Sequence, residues 1–396
     1  MKKAFVYLFI LMMLLSVTWA FVACDDDDDD DNNDEADDDD TGDDDDDTVD
    51  DDADDDDTGD DDTGPPSPFD EAAANPGEWV WIDVADSLCR DGTTSGIGAR
   101  FQAGADKLVI FLEGGGACFD ADSCEDNPDH FDEVTFADRV AEDLTEGLFN
   151  DGDTDNPLAG WNFIFVPYCT GDLHSGDASD MTVPGVDGVH QFHGYKNTGA
   201  AIALAAEYFT ELSQMMLAGQ SAGGFGTLMN YPQMAAAFDP MPLILLDDSG
   251  PLHRDNSVLS PLLQLGVRAL WNVVVPEDCT ECNGPLGDGV ENIQPYLAEN
   301  YADGVFGLFS TTGDETIRDF FGVFGEITLE MYRDAIFDLR DNLLLPTGRW
   351  STYFVEDTFH TFTTDDDRFF EIVVDETPLT TWVGELLTGV PAPVGP

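Results

Sequence analysis

The sequence predicts an α/β fold, with a mainly parallel sheet covered by helices on both faces. Three observations predict it. Short apolar runs alternate with longer segments of helical period. Two of those runs end in glycine-rich turns. Beyond an acidic leader, the 396-residue chain remains long enough for one large core. The runs read as strands are 79–84, 107–112, 161–166, 215–218, 243–246 and 351–355, and helical periodicity covers 198–212, 222–231, 314–324 and 327–343. Ligands of such sheets bind at the carboxyl ends of the strands, so the residues just after each run carry the first candidates for chemistry.

The N-terminus stands outside that fold. Lys2 and Lys3 precede an apolar run over 4–18, which is too short to span a bilayer comfortably and reads as part of a signal peptide, residues 1–23. The run ends in Phe21-Val22-Ala23-Cys24, which resembles the lipobox of bacterial lipoproteins, with Phe21 where leucine is usual. The resemblance implies an acylated Cys24 as first mature residue; Thr18-Trp19-Ala20 offers an ordinary signal peptidase the alternative site. Residues 25–62 then hold 27 Asp and one Glu in 38 positions, with DDDDTGDDD at both 37–45 and 54–62. Self-repulsion and the lack of apolar side chains keep such a tract extended. It reads as a tether within a linker over 24–68, stiffened at Pro65-Pro66-Ser67-Pro68. It lacks the glycine and glutamate positions of an EF-hand loop, so any Ca²⁺ it collects is held loosely. The folded domain is expected over 69–396, held through its lipidated end on a bacterial envelope, in the periplasm or at the cell surface.

The acidity continues into the folded part. Residues 63–396 carry 56 acids against 12 Lys and Arg, a net of −44, and Lys107 and Lys196 are the only lysines there. A surface of this sign repels nucleic acid and anionic headgroups, which leaves the lipidated N-terminus as the one expected membrane contact. It also suits a saline setting, where screening over roughly 8 Å or less weakens the self-repulsion. Beyond Cys24 there are six cysteines, an even count that favours disulfides on an exported chain. Cys279 and Cys282 are spaced as half a zinc site, but no second CxxC or HxxxH completes it. They read as a small loop disulfide, and no metal is expected.

Chemistry concentrates after two of the apolar runs. Gly219-Gln220-Ser221-Ala222-Gly223 fits GxSxG between a strand and a helix, the setting of a nucleophile elbow. Small residues flanking Ser221 let the sharp turn form, and a helix starting at Ala222 aims backbone N–H groups at a developing oxyanion. Glu113-Gly114-Gly115-Gly116-Ala117 follows the run ending at Leu112, and glycines there let amides approach a substrate carbonyl.

Together LEGGGACF, PYCTGDLHSG, FHGYKN, GQSAGG, the DDSG after a strand and the late FHTF resemble the pectin acetylesterase and Notum family, over roughly 79–370. Many members read GGGWC where this chain has Gly114-Gly115-Gly116-Ala117-Cys118. The resemblance implies an α/β-hydrolase-like fold and oxyanion donors at Gly115, Gly116 and Ala222. It also implies the bridges Cys89–Cys169 and Cys118–Cys124. In such folds the triad runs Ser, acid, His along the chain. Four of six histidines precede Ser221; of the two that follow, His253 leaves little chain for an acid before it, and His360 is the expected base. Asp314 matches the family's acid position and opens a helix, while Asp247 and Asp248 also end a strand and remain its rivals.

The resemblance thus implies a serine carboxylesterase that works through an acyl-enzyme, without metal or cofactor. Its substrate is expected to be a small ester, above all O-acetyl groups on carbohydrate. A lipid acyl esterase is the alternative and needs a deep apolar pocket, for which no apolar lid is evident in the sequence. A non-catalytic, calcium-binding surface lipoprotein is the third reading.

Overall fold

The structure, a computed structural model, describes residues 67–396 except Leu286. The expectations placed on the signal peptide, Cys24 and the acidic tract lie outside the described residues. Eight strands form the main sheet: β1 (Val80–Leu88), β2 (Thr94–Arg100), β3 (Lys107–Leu112), β4 (Asn162–Val166), β5 (Gln214–Gln220), β6 (Leu243–Asp248), β7 (Val305–Thr311) and β8 (Trp350–Val355). Their spatial order is β1-β2-β4-β3-β5-β6-β7-β8. The first pairings, β1 with β2 and β2 with β4, are antiparallel, and every pairing from β4 onward is parallel. This is the α/β-hydrolase-like arrangement expected.

The continuous apolar runs are explained by burial on both faces. Along β3, Leu108, Ile110 and Leu112 enter one core while Val109 and Phe111 enter the other. Strand β5 divides the same way, Met215 and Leu217 against Met216 and Ala218. Helices α1 (Gly194–Tyr208) and α2 (Ala222–Ala237) cover the first face through residues such as Ala201, Ile202, Phe225 and Leu228. The helix Leu379–Leu386 covers the second through Leu379, Trp382, Val383 and Leu386.

Strands β2 and β7 have no counterpart among the expected elements, and the reason is the same in both. Glycine lowers strand propensity, yet here it makes room for a covering side chain. A Cβ on Gly98 would lie 2.3 Å from the Phe136 ring, and one on Gly307 would lie 2.7 Å from Leu386. Helix α3 (Pro261–Trp271) was likewise not expected; Ser260 caps it and Pro261 opens it. Helix α4 (Glu315–Phe321) starts one residue later than the periodicity suggests, because Asp314 is its N-cap. Helix α5 (Leu329–Leu339) is capped by Thr328 and continues into a π-turn over Arg340–Leu344.

All three expected cysteine pairs are bonded: Cys89–Cys169, Cys118–Cys124 and Cys279–Cys282. Among the described residues no helix is long and apolar enough to cross a membrane.

Candidate active site

Register brings the two glycine-rich turns together. Strands β3 and β5 are parallel neighbours with Leu112 opposite Gly219, so the loop after β3 runs beside the elbow after β5. Ser221 sits at φ 54° and ψ −118°, a conformation that costs a non-glycine residue about 1–3 kcal/mol. Its N–H donates to the Asp248 carbonyl at 2.7 Å, which fixes the turn from β6. Gly223 has no room for a side chain, since a Cβ there would fall 1.9 Å from the Leu112 carbonyl oxygen. The serine is thereby held at the strand end by constraints that do not involve its own side chain.

The loop after β3 is held from behind. The His174 ring donates from Nε2 to the Glu113 carbonyl at 2.9 Å, Asn127 Nδ2 donates to the Gly115 carbonyl at 2.6 Å, and the Tyr168 hydroxyl donates to the Gly116 carbonyl at 2.9 Å. Burial pushes the His174 imidazole down to about 4, so it stays neutral near pH 7. In a trans peptide the N–H points opposite the carbonyl. Asn127, by holding the Gly115 carbonyl, therefore turns the Gly116 N–H the other way. Among the described residues the N–H groups of Gly115 and Gly116 have no acceptor in the protein. Ala222 opens α2, so its N–H is free of the helix ladder as well. These are the three donors the resemblance implies. The Cys118–Cys124 bridge and a bond from Cys118 N–H to the Gly171 carbonyl (2.8 Å) anchor the loop's far end.

Asn127→Ala is expected to lower kcat about ten- to a hundredfold at little-changed KM, less than the loss of an oxyanion donor itself. Asn127→Asp, which cannot donate, is expected to behave the same way. Steady-state kinetics on a simple ester checks both; a rise in KM at constant kcat would instead make Asn127 a substrate-binding group.

The expected acid and base meet at the ends of β7 and β8. His360 Nδ1 donates to Asp314 Oδ2 at 2.7 Å, and the fully buried Asp314 accepts the Ile317 N–H on its other oxygen at 3.0 Å. The helix-start role and the histidine contact thus belong to the same carboxylate, one oxygen each. With the proton on Nδ1, Nε2 keeps its lone pair, and it is buried without a hydrogen-bond partner, Ser221 Oγ included. Such contacts commonly close only when substrate binds.

The rivals do other work. Asp248 Oδ2 accepts the Phe362 and Thr363 N–H groups at 2.8 and 2.9 Å and the Thr363 hydroxyl at 2.8 Å, tying down the segment that carries His360. Arg368 holds the same segment through the His360 and Thr361 carbonyls. Asp247 is buried under the elbow with Oδ1 on the Gly250 N–H at 2.8 Å and Oδ2 unpartnered, and burial pushes its carboxyl well up. His253 is buried against Phe321 and Tyr332. Among the described residues no cluster of three or more His, Cys, Asp or Glu converges as a metal site would require.

Two spaces meet at Ser221. One, the more polar of the two, is a cleft of about 290 Å³ that contains His360, Gly114–Gly116 and Arg139 beside Phe111, Leu144 and Phe320. The other is an apolar cavity of about 90 Å³ between α2, α3 and α4, lined by Phe225, Met229, Leu263, Val267, Ile317 and Phe320 among others.

This arrangement has known relatives. A family model described as pectinacetylesterase matches residues 76–259, which include Ser221 and the loop after β3. The palmitoleoyl-protein carboxylesterase notum2 of Xenopus laevis is 28% identical over 219 residues, 49% of this chain and 43% of its own length. The human palmitoleoyl-protein carboxylesterase NOTUM is 27% identical over 217 residues, 48% and 42% respectively. The solved structure of the Wnt deacylase Notum from Drosophila superposes with a TM-score of 0.60 at 20% identity, over 79% of this chain and 95% of that one. The chain is thus similar to the pectin acetylesterase and Notum family in sequence and in fold.

The fold is shared with the Drosophila Notum structure, and the chain matches less than half the length of these curated relatives. The family-model match ends before Asp314 and His360, so for that pair the support is their 2.7 Å contact. Asn127, Arg139 and α3 were missed by sequence reasoning. PYCTGDLHSG marked Tyr168 and His174 as part of a motif without saying what they hold.

Proposed function

We propose that the protein is a serine carboxylesterase whose acyl half is a short to medium hydrophobic chain. Ser221 Oγ attacks the ester carbonyl while His360 Nε2 takes its proton. Asp314 keeps the imidazole in the required tautomer and stabilises the imidazolium without accepting its proton. The N–H groups of Gly115, Gly116 and Ala222 receive the oxyanion, His360 returns the proton to the leaving alcohol, and water then hydrolyses the acyl-enzyme by the same route. On this reading a lipidated Cys24 and the acidic tract hold the esterase at an envelope surface.

The observation that carries the acyl assignment is the apolar cavity opening at Ser221. An acetyl-selective enzyme needs only a small dimple there. The sequence offered no apolar lid because α3, which walls the cavity, was not legible as a helix. On the scale by which a cavity of about 150 Å³ takes benzene, this one takes about four carbons. With each buried methylene worth about 0.8 kcal/mol, kcat/KM is expected to rise about fourfold per carbon from acetyl to butanoyl and to fall beyond about hexanoyl. Hydrolysis of a graded series of esters of one alcohol checks this. A maximum at acetyl would return the reading to carbohydrate deacetylation.

A further inference from the structure

His360 must return a proton to the departing alcohol oxygen, so the alcohol half of the ester has to lie on His360's side of Ser221. Of the two spaces that meet at Ser221, the polar cleft contains His360 and the apolar cavity does not. Acyl chain and alcohol are thereby separated into an almost wholly apolar chamber and one that mixes polar with apolar groups.

We infer that the polar cleft binds the alcohol half and selects an uncharged alcohol bearing several hydroxyl groups, rejecting an anionic one, through Arg139, Asp143, Thr316 and Thr361. The inference rests on the esterase reading above and adds to it the identity of the leaving group. Arg139 lies between two carboxylates: its Nε is 2.7 Å from Glu113 Oε1 and its Nη1 2.6 Å from Asp143 Oδ2. Arg139 lines the cleft, and its Nη2 has no protein partner among the described residues, which leaves that amino group's donors unused. Thr316 and Thr361 also line it, their hydroxyls have no protein partner among the described residues, and each hydroxyl can both donate and accept. A hydroxyl group, itself donor and acceptor, satisfies that set.

A carboxylate or phosphate does not. The one guanidinium in the cleft is already matched by Asp143 and by Glu113, whose carboxyl burial pushes up to about 7. No positive charge is left over, and the surrounding domain has a net charge of −44. Like charge brought into a partly desolvated site is penalised, and paired carboxylates close by sharpen the penalty.

The test compares four butanoate esters with the full chain: ethyl, 1-glyceryl, the ester of glycerate, and an O-butanoyl-seryl peptide. The glyceryl ester is expected to exceed the glycerate ester by about tenfold or more in kcat/KM, a gap that Asp143→Asn narrows. Thr316→Val, nearly isosteric on a partly exposed helix position, is expected to lower kcat/KM about fivefold for the glyceryl ester and by less than about twofold for the ethyl ester. Equal rates on glycerate and glyceryl esters would overturn the charge selection. A preference for the seryl peptide would make the alcohol a protein side chain and overturn the polyol assignment. Ethyl butanoate left intact would bring down the esterase reading itself, and the inference with it.

Discussion

Ser221→Ala is expected to abolish ester turnover, with a loss of about 10⁶-fold in kcat and no loss of the fold. The size follows from the division of labour at the site. The loop after β3 and the N-terminus of α2 can still polarise a carbonyl once the hydroxyl is gone, which leaves a residual acceleration of about 10³–10⁴ over water. Stability should hardly change, because what fixes the elbow is backbone: the Ser221 N–H on the Asp248 carbonyl and the close approach of Gly223 to Leu112. Alanine keeps the same strained φ and removes only an oxygen at a partly exposed position. A burst assay with a butanoate ester and a thermal melt measure the two effects separately. A Ser221→Ala enzyme turning over near the wild-type rate would end the serine mechanism.

Ser221 was legible because the turn imposes its needs on residue type: small neighbours, an apolar run before, a helix after. The same holds for Gly115 and Gly116, where side chains would meet Tyr168 and Phe320. Constraints on backbone space leave marks in a sequence. Constraints on hydrogen-bond direction leave far fainter ones, which is why Asn127, 12 residues from the carbonyl it holds, carried no signal of its own. Arg139 was hidden for a different reason. It lies on the helix Glu133–Glu142, and its partner Glu113 sits at the end of another element. The missed strands β2 and β7 contain glycines that read as turns until the Phe136 and Leu386 side chains above them are known. Helix α3 mixes an apolar face on the cavity with exposed Leu262 and Leu265, which blurs its polar side. The acid stayed open among Asp314, Asp247 and Asp248 because all three follow an apolar strand. Only the path of the chain after β8, folded back over β6 and β7, shows which carboxylate reaches the imidazole.

That choice can be tested by three single substitutions, of which Asp314→Asn is expected to be the dead one. At Asp314 the replacement can keep its capping bond, since the new amide's carbonyl oxygen still accepts the Ile317 N–H, so the melting temperature should move little. The amide nitrogen then turns a donor toward His360 Nδ1, where an acceptor stood. The imidazole answers by moving its proton to Nε2, the nitrogen that has to take the Ser221 proton, and turnover is expected to fall about 10⁴-fold. Asp247→Asn should be nearly silent. Burial pushes that carboxyl well up and so favours its neutral form, an amide has the same shape, and Oδ1 retains the Gly250 N–H. Asp248→Asn should lie between them. One oxygen there accepts three donors from Phe362 and Thr363, and disturbing that buried set costs about 1–3 kcal/mol of stability and loosens the segment carrying His360. Turnover should drop with it, yet this enzyme should regain rate at lower temperature as the segment settles, whereas the Asp314→Asn enzyme should not. An inactive Asp247→Asn or Asp248→Asn beside an active Asp314→Asn would move the triad acid to β6, and the 2.7 Å contact between Asp314 and His360 would then be a structural bond only.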